Sequence, residues 1–552
     1  MSVFPLDDPS ALNASQRRRH LAAMTSETFD VVVVGGGITG VGAALDAASR
    51  GLRVALVEQR DYASGTSSRS SKMFHGGLRY LEQFDFGLVR EALRERNLML
   101  NLLCPHLVRP TSFVYPLRRR FSERIYVGAG VLIYEILSRL ADSPLPWHSH
   151  LGAEGLREIC PDLSAIGAVR YWDAVVDDAR HTMTVARTAS AHGALLASSV
   201  RLVGVEESDG RITAVTVTDL EDGDSLSIDT RTVINATGVW TDNVEALAGE
   251  EGTDVQASKG VHLLVPRDRI RSETGIILRT DASVLFVIPW ERHWIVGTTD
   301  TPWTLGRAHP AASRSDIDYL LRWVNTAIET PLSTDDIVGV YAGLRPLLKG
   351  ESEQTSKLSR QHAVVDRGNG MVSVAGGKYT TYRVMAADAV DALEPYLDEP
   401  LGRSRTDAIP LVGATTPLDE RIHSRYGSLK TEIGESIAAK PHYGAPVVAD
   451  APYLLAEIAY AVTHEGALHL DDVLTRRTRL SIETSHRGVA AAPPAAAIMA
   501  QILGWDEETI RREIDHYEAR VRAEVDSQQQ PDDHTADAAR MGAPDVRTGR
   551  SE

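Results

Sequence analysis

Five short segments gather groups that could grip an anion and move a proton. They are His75-Gly76-Gly77-Leu78-Arg79-Tyr80, Asp177-Asp178-Ala179-Arg180, Lys259-Gly260-Val261-His262, Tyr341-Ala342-Gly343-Leu344-Arg345-Pro346 and Gly376-Gly377-Lys378. Each alone has an ordinary explanation: a strand-end arginine is usually solvated, a lone histidine is usually a satisfied core group, and Gly-Gly-Leu is usually a turn. Together they combine guanidinium forks, which match phosphate oxygens, with lysine point charges. Arg79, Arg345 and Lys378 are the cations expected around a phosphate, with Tyr80 and Thr299 as neutral donors.

The elements that would position such groups begin at residue 30. An apolar strand, Asp30 to Val34, runs into Gly35-Gly36-Gly37-Ile38-Thr39-Gly40, a small-residue helix to about Ser49, and a second apolar strand, Arg53 to Val57, ending on Glu58. That order is a βαβ unit suited to a dinucleotide. Gly35 permits the tight turn, Gly37 lets the backbone approach a pyrophosphate, and Gly40 lets the helix press on the sheet. The free N–H groups of the first helical turn face the anion. Glu58 stands where an acid can bond a ribose hydroxyl, which argues against a 2′-phosphate. The run Thr66-Ser67-Ser68-Arg69-Ser70-Ser71-Lys72 and the later Asn235-Ala236-Thr237-Gly238 favour FAD over NAD. The expected FAD contacts are Gly35, Gly37, Gly40, Glu58, Thr66, Ser67, Ser71, Lys72, His75, Gly76, Gly77, Val200, Gly238, Gly377, Lys378 and Thr380.

A chain of 552 residues exceeds one ordinary core, so two or three domains are expected. A net charge of −17 disfavours nucleic acid as a partner and requires any anionic substrate to meet a local cationic pocket. Two cysteines, Cys104 and Cys160, exclude a disulfide framework and a cysteine-ligated iron–sulfur cluster. No metal site is expected. Residues 1–26 are polar, with Arg17-Arg18-Arg19 and no apolar core of a signal peptide, and read as a disordered arm. No uncharged apolar run of about 18 residues suggests a spanning helix. The chain is expected on the cytoplasmic side.

Residues 27–110, 170–258 and 345–400 are expected to form a discontinuous Rossmann-like FAD-binding domain in an α/β fold. Residues 111–169 and 259–344 are expected to form an interleaved, sheet-based substrate domain. Within segment 118–147, Arg118-Arg119-Arg120 precede an apolar, aromatic stretch from Ile125 to Tyr134, and Trp147 follows. This reads equally as a helix lying on a membrane surface and as an ordinary buried helix. Residues 405–526 read as helical, with Asp506 capping a helix whose Ile510, Ile514, Tyr517 and Val521 share one face. The tail 527–552 is expected to be disordered.

Several motifs together carry a resemblance: GGGITG, TSSRSSKMFHGGLRYLE, VVDDAR, NATGVW, KGVHLLVP, VIPW, VGTTDTPW, YAGLRPLL, GGKYTTYR and DDVLTRRTRL. From about residue 28 to 525 the chain resembles the FAD-dependent, aerobic, membrane-associated glycerol-3-phosphate dehydrogenases, within the D-amino-acid-oxidase-like flavoproteins. Gln361 and His181 depart from the family's usual acid and leucine. The resemblance implies hydride transfer from C2 of sn-glycerol 3-phosphate to N5 of FAD, giving dihydroxyacetone phosphate, with a membrane quinone taking the electrons at a membrane surface. It implies catalytic roles for His262, His75 and Arg345. The hydroxyl proton needs a base, and His262, then His75, are the candidates. Arg79, Arg345 and Lys378 would anchor the phosphate so that C2 faces the flavin. A homodimer and a capping role for the C-terminal helices are weaker implications. An oxidase that passes electrons to oxygen and makes peroxide, and a flavoprotein module without turnover, are the competing readings. The three cations disfavour the second.

Overall fold

The run Val31–Val34 is β-branched and fully buried, the composition of a central parallel strand. The computed structural model describes residues 8–119, 121–250, 252–281, 284–348, 361–543 and 545–548. It places this run inside a six-stranded sheet. The order is His362–Asp366, Met371–Gly376, Val233–Asn235, Val31–Val34, Val54–Glu58 and Leu195–Ser198. His362–Asp366 runs antiparallel to its neighbour and the others run parallel. The helix Ile38–Ser49 packs against the helices Asp178–Ala191 and Tyr382–Asp391. Its small residues allow this: a Cβ on Gly42 would sit 2.9 Å from the Tyr382 ring.

A second, ten-stranded sheet is organised around the long strand Val255–Pro266. That strand pairs antiparallel with Gly339–Leu348 on one side and His293–Gly297 on the other. The register sets His262 opposite both Tyr341 and Gly297. The remaining strands include Arg109–Pro116 and Gly167–Val175, and Met73–Phe74 joins at the end. Val200–Ser208, Arg211–Asp219 and Ser225–Asp229 form a separate antiparallel sheet. The expected domain boundaries therefore shift. Residues 73–74, 170–175 and 255–258 hydrogen-bond into the larger sheet, because a ladder follows continuous strands through a change of sequence character.

Both chain ends correct the sequence reading. Residues 8–26 are ordered, with a helix Ala14–Met24 capped by Asn13. Its Arg17 is buried in an ion pair with Asp219 at 2.6 Å and donates to the Ser198 carbonyl. At the other end, the helix Asp533–Arg540 is capped by Asp532, and Arg547 is buried against Asp472 at 2.7 Å. Polar composition suggested disorder at both ends. Buried charge pairs closing over hundreds of residues, which composition cannot show, supply the order. Residues 1–7 and 549–552 lie outside the described residues.

Segment 118–147 holds the helix Ser122–Arg139. It is not an ordinary buried helix: Val131 and Tyr134 face the core, while Ile125 (71% exposed), Tyr126, Ile133 and Ile136 face outward. Among the described residues, no helix is long and apolar enough to cross a membrane. The C-terminal helices from Arg421 to Ser527 surround their own core, which includes Tyr426, Tyr460, Leu474, Met499 and Tyr517. Asp506 accepts from the Thr509 N–H, and Ile510, Ile514 and Val521 pack on that core. Cys104 and Cys160 are separate buried thiols, pushed up by burial to about 12 and about 11.

Candidate functional site: a dinucleotide cradle opening on a histidine and two cations

Gly35 leaves the strand Val31–Val34 at φ +111°, and a Cβ there would lie 2.8 Å from the Ala236 carbonyl oxygen. A Cβ on Gly40 would overlap the Gly35 carbonyl, so the helix sits directly on the turn. Ser67 Oγ accepts from the Ile38 N–H at 2.9 Å, which fixes the loop 65–71 against the helix N-terminus. At the end of its strand, Glu58 accepts from the Gly36 N–H at 2.6 Å and the Arg60 N–H at 2.8 Å. Burial raises its pKa, and the two backbone donors and nearby charges set it in place. A continuous cavity of about 1970 Å³ runs along these groups. At one end lie Val57, Glu58, Val200 and Leu202. The middle is Gly35, Gly37 and Ser67, and His262, Arg345 and Lys378 lie beyond. An apolar end with an acid, a glycine turn without side chains and a long continuous channel fit an extended dinucleotide such as FAD.

Beyond the cradle, His262 is 2% exposed. Its ring stacks on Tyr341 at 4.7 Å and 12°. A Cβ on Gly297 would overlap the imidazole, so glycine opposite His262 makes room for it. Nε2 is 2.9 Å from Ser71 Oγ, and Nδ1 is buried with no hydrogen-bond partner among the described residues. Burial, then the charges of Arg345 and Lys72, hold the imidazole well below its ordinary pKa. A neutral ring can accept a proton.

Arg345 projects from the strand Gly339–Leu348 opposite Ser258. Its guanidinium donates to Thr298 Oγ1 at 3.0 Å and the Thr299 carbonyl at 3.2 Å, and lies 3.6 Å from Asp300. Gly260 gives it space, because a Cβ there would overlap the guanidinium. Lys378 caps the turn Tyr379–Thr381, and its Nζ stands 3.9 Å from the centre of the Tyr80 ring. A cation over an aromatic face is attracted by the ring quadrupole. Thr380 Oγ1 joins the His75 backbone at 3.3 Å.

The fold thus brings His75, Tyr80, His262, Arg345 and Lys378 to one cavity. Gly35, Gly37, Glu58, Thr66, Ser67 and Ser71 line it, as do Gly77, Val200, Gly238, Gly377 and Thr380. Four expected contacts are placed elsewhere. Gly40 lies behind the turn, and Gly76 is packed on Leu93 and Tyr134. Lys72 is fully buried, ion-paired with Asp178 at 2.7 Å. Thr299 turns its hydroxyl to the Val261 N–H at 3.0 Å, and Thr298 lines the cavity in its place. The Arg79 side chain falls outside the described residues. Sequence reasoning missed Tyr341, Thr298 and Asp300. All three lie in motifs already singled out, but their service to His262 and Arg345 depends on pairing across strands.

Comparison with known proteins agrees with this geometry. Residues 30–383 match the family described as FAD dependent oxidoreductase, and residues 402–510 match the C-terminal domain of alpha-glycerophosphate oxidase. The chain is 52% identical to the glycerol-3-phosphate dehydrogenase of Mycobacterium leprae, over 98% of this chain and 96% of that protein. It is 51% identical to glycerol-3-phosphate dehydrogenase 2 of Mycobacterium tuberculosis, with the same coverage of 98% and 96%. The solved glycerol-3-phosphate dehydrogenase of Bacillus halodurans, complexed with FAD, superposes with a TM-score of 0.75 at 26% identity, covering 92% of this chain and 98% of that one. The L-alpha-glycerophosphate oxidase of Mycoplasma pneumoniae shares the fold at 16% identity and a TM-score of 0.54, covering 70% of this chain and 99% of that one. The chain belongs to the FAD-dependent oxidoreductases and, within them, to the glycerol-3-phosphate dehydrogenases.

Proposed function

We propose that this protein oxidises sn-glycerol 3-phosphate to dihydroxyacetone phosphate in the cavity between the glycine turn and His262, and delivers the electrons to a quinone at a membrane surface. One observation carries the substrate reading: a neutral, buried histidine and two cations, Arg345 and Lys378, line the same cavity as the dinucleotide cradle. Bound FAD supplies the two-electron acceptor for the hydride from C2. Arg345 and Lys378, with Arg79, hold the phosphate, and Tyr80 shapes the Lys378 side of the pocket. Anchoring the remote end of the substrate positions its reacting carbon. The neutral imidazole of His262, held by Ser71 Oγ at Nε2, takes the C2 hydroxyl proton. His75, at the Thr380 side of the cavity, is the alternative base.

The quinone reading rests on a different feature. The cavity continues past Tyr80 to Ile125, Ala129 and Ile133 on the helix Ser122–Arg139, and to Phe84 and Phe86. Phe84 is 79% exposed and Phe121 73%, and Arg118 and Arg119 precede Phe121 in the chain. An apolar face flanked by basic residues suits a bilayer interface and an apolar electron acceptor. Turnover with a soluble quinone, stimulated by phospholipid vesicles and without stoichiometric peroxide, is the expected result. Equal rates with oxygen alone, with one peroxide formed per substrate, would favour the oxidase reading.

A further inference from the structure

A second, smaller cavity of about 100 Å³ lies where the helical C-terminal domain meets the strand Gly339–Leu348 and the loop 65–71. Eight arginines and three carboxylates line it. Five of the arginines have their own acids. Arg476 pairs with Asp61, Arg479 with Asp177 and Asp178, Arg547 with Asp472, Arg540 with Glu524, and Arg60 with Asp545. Arg69, Arg487 and Arg520 have no carboxylate in ion-pair contact among the described residues. Arg520 donates to His309 Nδ1 and to the Ala543 carbonyl at 3.1 Å. Arg487 donates one Nη to Gln528 Oε1 at 3.4 Å, and its other Nη is buried without a partner among the described residues. The amide nitrogen of Gln528 and the hydroxyl of Ser481 are also buried without partners among the described residues and belong to the same lining. Both Arg487 and Gln528 are more than nine-tenths buried, at 9% and 6% exposure.

These groups are all donors. Asp471, Asp545 and Glu524 act on these arginines only from beyond ion-pair contact, and a buried guanidinium without a contacting acid is costly, as is each orphaned N–H or O–H. Burial, then Arg540, Arg476 and Arg60, bring Arg69 down to about 10 against the pull of Asp471, and burial, then Arg540, bring Arg520 to about 9 although Asp471 and Asp545 on the same wall pull it up. One multiply charged acceptor would satisfy the set. Roughly 30 Å³ is a water's share of liquid volume, so the space holds a few waters or one tetrahedral oxyanion, but no nucleotide. Arginine forks match such oxygens in pairs.

We propose that this cavity is a binding site for one phosphate-class oxyanion, separate from the flavin cavity and held by Arg487, Arg520, Arg69, Gln528 and Ser481. Its placement links it to the first site by two contacts. Arg69 lines both cavities, and Tyr341, on the wall of the second, stacks on His262 and donates its hydroxyl to the Ser70 carbonyl at 3.0 Å. An occupant would therefore lock the C-terminal domain onto the loop that cradles the cofactor.

The test uses FAD-loaded protein carrying Arg345→Ala, which removes the arginine proposed to hold the substrate phosphate, in phosphate-free buffer at fixed ionic strength. Inorganic phosphate is titrated by calorimetry, and thermal unfolding is followed with and without it. One equivalent should bind and raise the unfolding midpoint. Adding Arg487→Gln or Arg520→Gln should weaken binding at least tenfold and abolish the rise. Arg487→Lys, which keeps the charge but not the fork, should weaken it several-fold and serves if the glutamine variant does not fold. Titration with methyl phosphate distinguishes the sources: equal binding points to the phosphoryl group of a larger metabolite, and binding of inorganic phosphate alone points to the free ion. No binding to Arg345→Ala, or binding that Arg487 and Arg520 substitutions leave unchanged, would overturn the assignment.

Discussion

His262 owes its proposed chemistry to its neighbours more than to its type. Tyr341 covers one face of the ring, Ser71 meets Nε2, and Arg345 and Lys72 join burial in keeping the ring neutral. Because its pKa lies well below 6.5, the base form persists through neutral and mildly acidic pH. The rate of flavin reduction by substrate, measured by anaerobic stopped flow, should therefore be flat from pH 8 down through 6.5. An acid limb centred at 6.5 would mean that an ordinary solvated histidine is the base. His262→Asn should slow that step with FAD still bound, and an unchanged rate would remove His262 from the base role. For Arg345→Ala, loss of a desolvated charge contact costs about 2–5 kcal/mol. That corresponds to roughly 30- to 4000-fold weaker binding of glycerol 3-phosphate, with FAD content unchanged. Normal saturation would refute the phosphate role. At this scale the sequence named the chemical types well. His262, Arg345 and Lys378 stand out because five polar segments recur together in one chain, where each alone would be ordinary. It could not separate Thr298 from Thr299, since which hydroxyl turns to the cavity depends on the ladder to Val261. Nor could it see that Lys72 is consumed by Asp178, over a hundred residues away.

Among the elements, the βαβ unit was the most legible, because strand, glycine turn, helix and acid follow one another within thirty residues. Gly40 tests it. A methyl group at Gly40 must displace the Gly35 backbone, and overpacking of this kind costs about 1–3 kcal/mol. Gly40→Ala should lower the denaturation midpoint and the FAD content together; a fully loaded, equally stable variant would contradict the packing argument. The helix Ser122–Arg139 was legible as apolar but not in orientation. Its inward and outward faces are both apolar, so periodicity alone cannot say which one is buried. Ile125→Asp combined with Ile133→Asp should reduce co-sedimentation with anionic phospholipid vesicles several-fold while leaving flavin reduction by substrate intact. Undiminished vesicle binding would place the membrane contact elsewhere. The N-terminal helix shows the opposite failure. The arm reads as disordered from its polar composition, whereas its Arg17 is buried on Asp219. Removing one partner of such a pair costs about 3–5 kcal/mol. Arg17→Ala should therefore lower stability by about that much in chemical denaturation, and no change would show the pair to be inert.

Across the whole molecule, buried charge networks tie segments that the sequence keeps far apart. Asp61, Asp177, Asp178 and Asp472 gather Arg476, Arg477, Arg479 and Arg547 between the cofactor domain and the C-terminal helices. This is why the DDVLTRRTRL motif is visible in the sequence without its partners, and why the polar tail reads as disordered. Histidines set the response to pH. Burial holds His106, His293 and His464 at about 4 and His181 at about 3. The unfolded chain takes up protons near 6.5 that the folded chain refuses, so stability is full above 6.5 and falls as pH drops toward 4. His469 is opposite: burial and Arg547 push it down, but hydrogen bonds with Glu221 and Glu513 raise it to about 9. Its contribution is full below 6.5 and is lost as pH rises through 9. The thermal midpoint should therefore peak at about pH 6.5 and fall from there toward 9, with the alkaline fall reduced in His469→Gln; a profile flat from 5 to 10 would contradict this. The central claim is that one cavity joins the FAD cradle to a triose-phosphate grip. It is tested most directly by anaerobic titration of the FAD-loaded protein with glycerol 3-phosphate, followed at the visible flavin absorbance. The account predicts bleaching by glycerol 3-phosphate but not by glycerol at the same concentration. A flavin that stays oxidised in excess glycerol 3-phosphate, or that responds equally to glycerol, would contradict it.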